Sequence, residues 1–330
     1  MKVVKPITIT TANWYAYQDV LFDDYNPWNA VTAYVSGDKV IVAAEKSQYQ
    51  CIAANTNFAP ILNPTKWVRI GSTQAWRPFD GYLSSAQSTQ ISIGGSFDAT
   101  GLSFWVYPGF MFQTTEFITY ILTGLGAFDT VAVLGTDCSK VRAYFYDQTG
   151  VKRKDVKIRA LDDTQIIDAW DYCFGDLTYR RDFVFENFDG WGVSNLSQLY
   201  IEISNEGAIP PSVSVGEIVV GKSQDIGGCH ADATIQLVDY SKKEIDAYGT
   251  VTIVQRAYSL NGSFELEIAT VDRNRVQNLM ASLRATPCVY FPTADDANAG
   301  IVIYGYVKDY NTTYATPDRA YASLEVEGMI

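Results

Sequence analysis

Histidine is almost absent: His230 stands alone in a chain of 330 residues. Catalytic triads and histidine-based metal centres need that residue in a defined cluster. His230 follows Cys229 directly, and neighbours on a strand point to opposite faces, so the pair makes no Cys–His dyad. Cysteine is also scarce. Cys51, Cys138, Cys173, Cys229 and Cys288 are odd in number, far apart and without a C-x-x-C spacing. That argues against a disulfide framework and a thiolate zinc site, and predicts buried free thiols. Basic runs are missing as well. The net charge is −12, which excludes nucleic acid as an expected partner. Lys152-Arg153-Lys154 is short and suits a strand edge or hairpin. No apolar run reaches the length of a membrane span. The opening Met1-Lys2-Val3-Val4-Lys5-Pro6 lacks the apolar core of a signal peptide, so synthesis in a cytoplasm is expected. There is no internal repeat and no low-complexity segment.

Paired carboxylates give no enzyme either. Asp23-Asp24, Asp162-Asp163 and Asp295-Asp296 are doublets in loop-like sequence. A glycosidase needs two carboxylates facing each other across a bond, and doublets in turns do not supply that. No loop has the EF-hand spacing. Gly124-Leu125-Gly126 lacks the strand-to-helix setting of a phosphate loop and reads as a turn. No catalytic residue, metal or cofactor is expected.

Aromatics are abundant: 22 Tyr, 16 Phe and 7 Trp, or 14% of the chain. They favour strands and aromatic-rich surfaces. They concentrate from Trp28 to Trp67, which reads Trp28, Tyr34, Gly37-Asp38, Val40, Tyr49-Gln50-Cys51, Asn55-Thr56, Pro60, Trp67. So short a unit cannot build an ordinary core, and its rings must supply much of the packing. Gly37-Asp38 suits a tight turn between short strands. The pattern resembles the small carbohydrate-binding modules of chitinases and cellulases, in which exposed rings stack on sugars. The resemblance makes Trp28, Tyr34, Tyr49 and Trp67 candidates for binding a glycan or docking a protein.

The remaining chain divides by strand and turn signals. Residues 1–22 read as an extended N-terminal arm, with Pro6-Ile7-Thr8-Ile9-Thr10 alternating; such an arm packs on its own body or, as expected for an assembling part, contacts a neighbouring subunit or an adjacent protein of the same assembly. Residues 23–74 hold the aromatic module. Residues 75–225 carry many short strands and no helical period, which predicts a β-sandwich. Their ordering loosely resembles jelly rolls, with residues 94–126 as a long insertion. Residues 226–330 predict a β-rich assembly domain with one helix at about 272–284. Its apolar face is Val276, Leu279, Met280 and Leu283, at i, i+3, i+4 and i+7, and Pro287 stops it. The expected element order is β-β-β-α-β-β. The fold class is mainly β and multidomain.

The combination of arm, Asp23-Asp24-Tyr25-Asn26-Pro27-Trp28, aromatic module, Asp239-Tyr240-Ser241-Lys242-Lys243-Glu244, Leu283-Arg284-Ala285-Thr286-Pro287-Cys288 and Leu324-Glu325-Val326-Glu327-Gly328 resembles tail-tip proteins of tailed bacteriophages and prophages. The C-terminal segment is similar in outline to the ring-forming domain of distal-tail proteins. The resemblance implies a non-enzymatic virion component. Its partners would be further copies of itself, other tail proteins and host-surface glycan. The competing reading is an extracellular carbohydrate-binding protein or the non-catalytic part of a glycan-degrading system.

Overall fold

The computed structural model describes residues 1–10, 12–18, 25–81, 86–87, 116–160, 170, 179–188, 190–192, 196–205, 213–229, 233–245, 251–292, 301–314 and 318–329. The protein is mainly β, with 57% strand and 11% helix among the described residues. Its main strands begin with β1 (Lys2–Pro6), β2 (Trp14–Gln18), β3 (Lys39–Val42), β4 (Ser47–Cys51) and β5 (Trp67–Ser72). They continue with β6 (Glu116–Thr123), β7 (Thr130–Leu134), β8 (Lys140–Tyr146), β9 (Lys152–Arg159), β10 (Phe183–Phe185) and β11 (Gln198–Asn205). Then come β12 (Glu217–Asp225), β13 (Thr234–Asp239), β14 (Lys242–Ile245), β15 (Val251–Val254) and β16 (Tyr258–Ala269). Helix α1 (Arg273–Ser282), β17 (Cys288–Phe291), β18 (Ile303–Thr313) and β19 (Arg319–Gly328) complete the chain.

One antiparallel sheet of 10 strands organises the molecule, in the order β10-β7-β12-β1-β17-β18-β19-β16. The short strand Gly228–Cys229 and β13 both pair with β16. The two faces of this sheet are covered differently. Ala132 and Leu134 of β7, Val219 of β12, Val4 of β1, Val289 and Phe291 of β17 and Tyr304 of β18 share one core on one face. The opposite face meets two covers. At the β10-β7-β12 end, Phe183, Val131, Val133, Ile218 and Val220 pack with Ile118, Tyr120, Val141, Phe145, Leu199 and Ile201 of a second sheet. That sheet has five strands in the order β9-β8-β11-β6-β2. At the other end, Val3, Leu266, Ile268, Tyr290, Ile303 and Leu324 pack with α1. Strand β7 therefore has every side chain buried, and its Thr-Val-Ala-Val-Leu sequence is an unbroken small-to-medium apolar run.

Four expectations change. The described part of the N-terminal arm packs on its own chain. Its first strand is internal, with Val3 opposite both Gln224 and Tyr290, because Val3 and Val4 each need a different core. Residues Ile7 and Ile9 pack on the sandwich core, and β2 pairs with β6. No division falls at residue 225, since β1 joins β12 on one side to β17 on the other. The stretch 94–126 is not all insertion: 116–123 form β6, an inner strand of the five-stranded sheet, while 94–115 lie outside the described residues. A strand, β17, follows the helix directly and adds to the expected order. Its four residues Cys-Val-Tyr-Phe are all buried.

Helix α1 carries Val276, Leu279 and Met280 on its buried side, and Leu283 continues that stripe as the C-terminal cap. Asp272, at the N-cap, makes no side-chain cap and instead pairs with Arg275 at 3.0 Å. Leu279→Ala should cost about 2–5 kcal/mol through lost burial and the cavity left behind. Urea unfolding measures it. A variant as stable as the parent would show the helix contributing nothing to the sheet it covers.

Candidate functional site

The aromatic module folds around its rings. Strands β3, β4 and β5 form a three-stranded sheet, and Ala33–Tyr34 pairs with Asn55–Thr56. Gly37, at φ 102°, makes the turn into β3, and the Asp38 carboxylate accepts from the Val35 amide at 2.7 Å. Tyr34, Val40, Cys51 and Trp67 are the core. The Tyr34 and Trp67 rings meet edge to face at 5.0 Å. Trp67 donates its indole N–H to the Phe58 carbonyl at 2.8 Å, and the Tyr34 hydroxyl accepts from the Asn29 amide at 2.8 Å.

Trp67 and Tyr34 are thus closed to a sugar, and the candidate pair fails for a packing reason: a module this small spends its largest rings on itself. Trp28 and Tyr49 pack against the same core and are half-buried. All four candidates come together, but as one core. Other apolar side chains of the module are exposed, among them Val31, Val35, Ile61 and Leu62 with the rings of Tyr25 and Phe58.

The 3-10 helix Gln74–Phe79 ties this module to the large sheet. On the module side, the Lys46 ammonium lies 3.3 Å from the centroid of the Trp76 ring. Desolvation pushes Lys46 down to about 8. On the other side, the Phe79 ring meets Tyr120 edge-on at 5.3 Å. Just beyond, the Gly81 amide donates to the Glu217 carboxyl at 3.3 Å. Glu217 is buried on β12. Burial first, and then the neighbouring Asp80 carboxylate, push it up to about 9. Glu217 is therefore protonated at neutral pH, and it sits at the seam between linker and sheet.

Asp182 is a half-buried acid, also raised by desolvation, whose carboxylate accepts from the Gly135 amide at 2.8 Å. It lines a cavity of about 350 Å³ with Leu134, Tyr258, Leu260, Tyr304 and Met329. Cys51, Cys138 and Cys288 are buried free thiols. Burial raises Cys138 to about 11 and Cys288 to about 12, which leaves both unreactive. Among the described residues no group of three His, Cys, Asp or Glu side chains is placed to hold a metal ion. His230, Cys173 and the three acidic doublets lie outside the described residues.

The surface that stands out is an arm built from β13 to β16. Strand β13 pairs with residues 258–263 of β16, and β14 pairs with β15 as a separate hairpin between them. The partner strand β19 joins β16 only from Gly262 onward, so residues 258–261 of β16 and the 236–239 stretch of β13 opposite them run past β19. Every described side chain of β15 is exposed, and so are five of the six on β13. Among them are large apolar residues: Leu237 is 58% exposed and Ile253 71%. Ile235, Val251, Val254 and Tyr258 are exposed beside them. An isolated hairpin is marginal in water, and an apolar one exposed on both sides marks a contact surface.

No family model, curated protein or solved structure matches the chain.

Proposed function

We propose that this chain is a structural, non-enzymatic component of a bacteriophage tail tip or baseplate that assembles with further copies of itself. The observation that carries the reading is the arm from β13 to β16, whose Leu237 and Ile253 face water. A second copy covers it, which moves the expected subunit contact from the N-terminal strand to this arm. Apolar hairpins of this kind gain stability when a neighbour removes both faces from water. The sequence resemblance to distal-tail proteins supports the virion setting. The aromatic module is a docking element for another tail protein. Its Tyr34 and Trp67 rings are internal, and its outer residues Val31, Val35, Phe58, Ile61 and Leu62 suit an apolar protein contact.

Mass photometry and sedimentation of the full chain test the assembly. The parent should form a discrete multimer, and Leu237→Asp with Ile253→Asp should give monomers with an unchanged thermal melt. A parent that stays monomeric at high concentration, or a variant that still assembles, would overturn the reading. Antibody labelling of virions that contain the chain should mark the distal end of the tail.

A further inference from the structure

We propose that the outer face of the five-stranded sheet binds an acidic oligosaccharide bearing carboxylates on its sugar rings. Strand alternation divides β8 cleanly. Val141, Ala143 and Phe145 enter the core, while Lys140, Arg142, Tyr144 and Tyr146 face outward. Tyr200 of β11 lies directly opposite Tyr144. Their rings stack at 4.7 Å and 8°. Tyr146 stands edge-on to both, at 5.8 Å from Tyr144 and 5.6 Å from Tyr200. A cross-strand stack is an ordinary way to stabilise a sheet. The third ring, and the concavity of about 380 Å³ that the three share with Gln198, Asp147 and Leu196, go beyond that need.

The rings are held in place by polar neighbours. Tyr144 donates to Glu202 at 2.6 Å, and Tyr200 donates to Gln198 at 2.8 Å. Arg142 lies 4.7 Å from the Tyr144 centroid and is itself fixed by two hydrogen bonds to Asp155, of 2.8 and 2.7 Å. The Lys152 ammonium lies 4.8 Å from the same ring. A platform fixed before the ligand arrives loses little freedom on binding. Flat rings flanked by an amide and carboxylates match a sugar, which offers C–H faces and a rim of hydroxyls.

Charge selects the acidic class. Of the five cations on edge strand β9, Lys157 and Arg159 lie on the outward face, Lys154 stands opposite the inward Phe145, and Lys152 and Arg153 are paired with Asp155 and Asp147, on a chain of net charge −12. Lys157 stands opposite Arg142, and Arg159 opposite Lys140. Burial first, and then the Lys157 ammonium beside it, hold Lys140 below the ordinary lysine value. A carboxylate placed there relieves the repulsion between the two ammoniums. Four residues separate Lys140 from Tyr144, about 13 Å along the strand, so an oligosaccharide reaches both and a single sugar does not. Nucleic acid is disfavoured by the acidity of the whole chain. The inference goes beyond the assembly reading and does not depend on it.

Calorimetric titration of the full chain with oligogalacturonate tests the site, with a neutral galactan oligomer, inorganic phosphate and an oligoglutamate peptide as comparisons. Oligogalacturonate should bind, more weakly as salt rises, and the neutral oligomer should bind far more weakly. Tyr146→Leu should weaken binding about tenfold, the scale of one lost stacking contact. Lys157→Gln, an exposed change that leaves the core untouched, should weaken it and flatten the salt dependence. The exposed Lys308→Gln on the large sheet should change nothing. No binding of oligogalacturonate would overturn the proposal. So would equal binding of the peptide or phosphate, or binding indifferent to Lys157→Gln.

Discussion

Glu217→Gln should make the protein more stable at neutral pH and remove most of a stability loss that the parent shows on going alkaline. The sign follows from the raised carboxyl. Unfolded, the group ionises near 4.5; folded, it keeps its proton up to about 9. Between those values the folded state binds more protons than the unfolded chain. Stability therefore falls as pH rises, by about 1.4 kcal/mol per unit for one such group. The cost is absent below the unfolded value and complete above the folded one. From pH 5 to pH 8 the parent should lose about 4 kcal/mol through Glu217. The Gln variant cannot ionise and keeps an acceptor for the Gly81 amide. Urea melts of parent and variant at both pH values measure the difference. The raised Asp182 contributes with the same sign in both proteins and cancels from the comparison. A difference between parent and variant that does not change with pH would show that Glu217 is ionised in the fold.

Deletion of residues 1–6 should abolish cooperative folding altogether. Strand β1 is hydrogen-bonded along both edges, over five register positions to β12 and three to β17. Removing it bares the buried polar backbone of two strands, at about 1–3 kcal/mol for each buried group left unpaired. It also takes Val3 and Val4, each almost wholly buried, out of two separate cores. Together these losses exceed the 5–15 kcal/mol or so that holds a typical domain folded. A synthetic peptide of residues 1–9 added in trans should restore part of the near-ultraviolet circular dichroism. A deletion variant that still melts cooperatively would show the two halves of the sheet closing without their shared strand. The fit of β1 is tight. A Cβ on Gly221 would lie 2.2 Å from the Lys5 carbonyl and 2.8 Å from a Val4 methyl.

What the sequence made legible follows from which interactions are local. Helix α1 is visible because Val276, Leu279, Met280 and Leu283 repeat at its own period. The outward row Arg142, Tyr144 and Tyr146 is implied by alternation within β8. Its meeting with Tyr200 is not, because register across strands is set by residues far apart in the chain. Strand β1 is hidden for a related reason. Two adjacent valines facing opposite cores show no alternation, and only the partners Tyr290 and Gln224 explain why both are buried. The aromatics of the module announced themselves, but their side did not. A tryptophan that closes a motif looks the same whether it stacks on sugar or, as Trp67 does, on Tyr34.

The place of β1 also bears on how the protein is made. Residue 3 pairs with residues 224 and 290, so β1 waits for strands made long after it. Until residue 291 has emerged, β1 lacks its β17 partner and presents an open edge, and the nascent chain cannot close its largest sheet. Contacts of such sequence separation form slowly, and open edges recruit other chains in the meantime. Yield in a host should therefore depend on translation speed, temperature and chaperone supply more than on the stability of the finished fold.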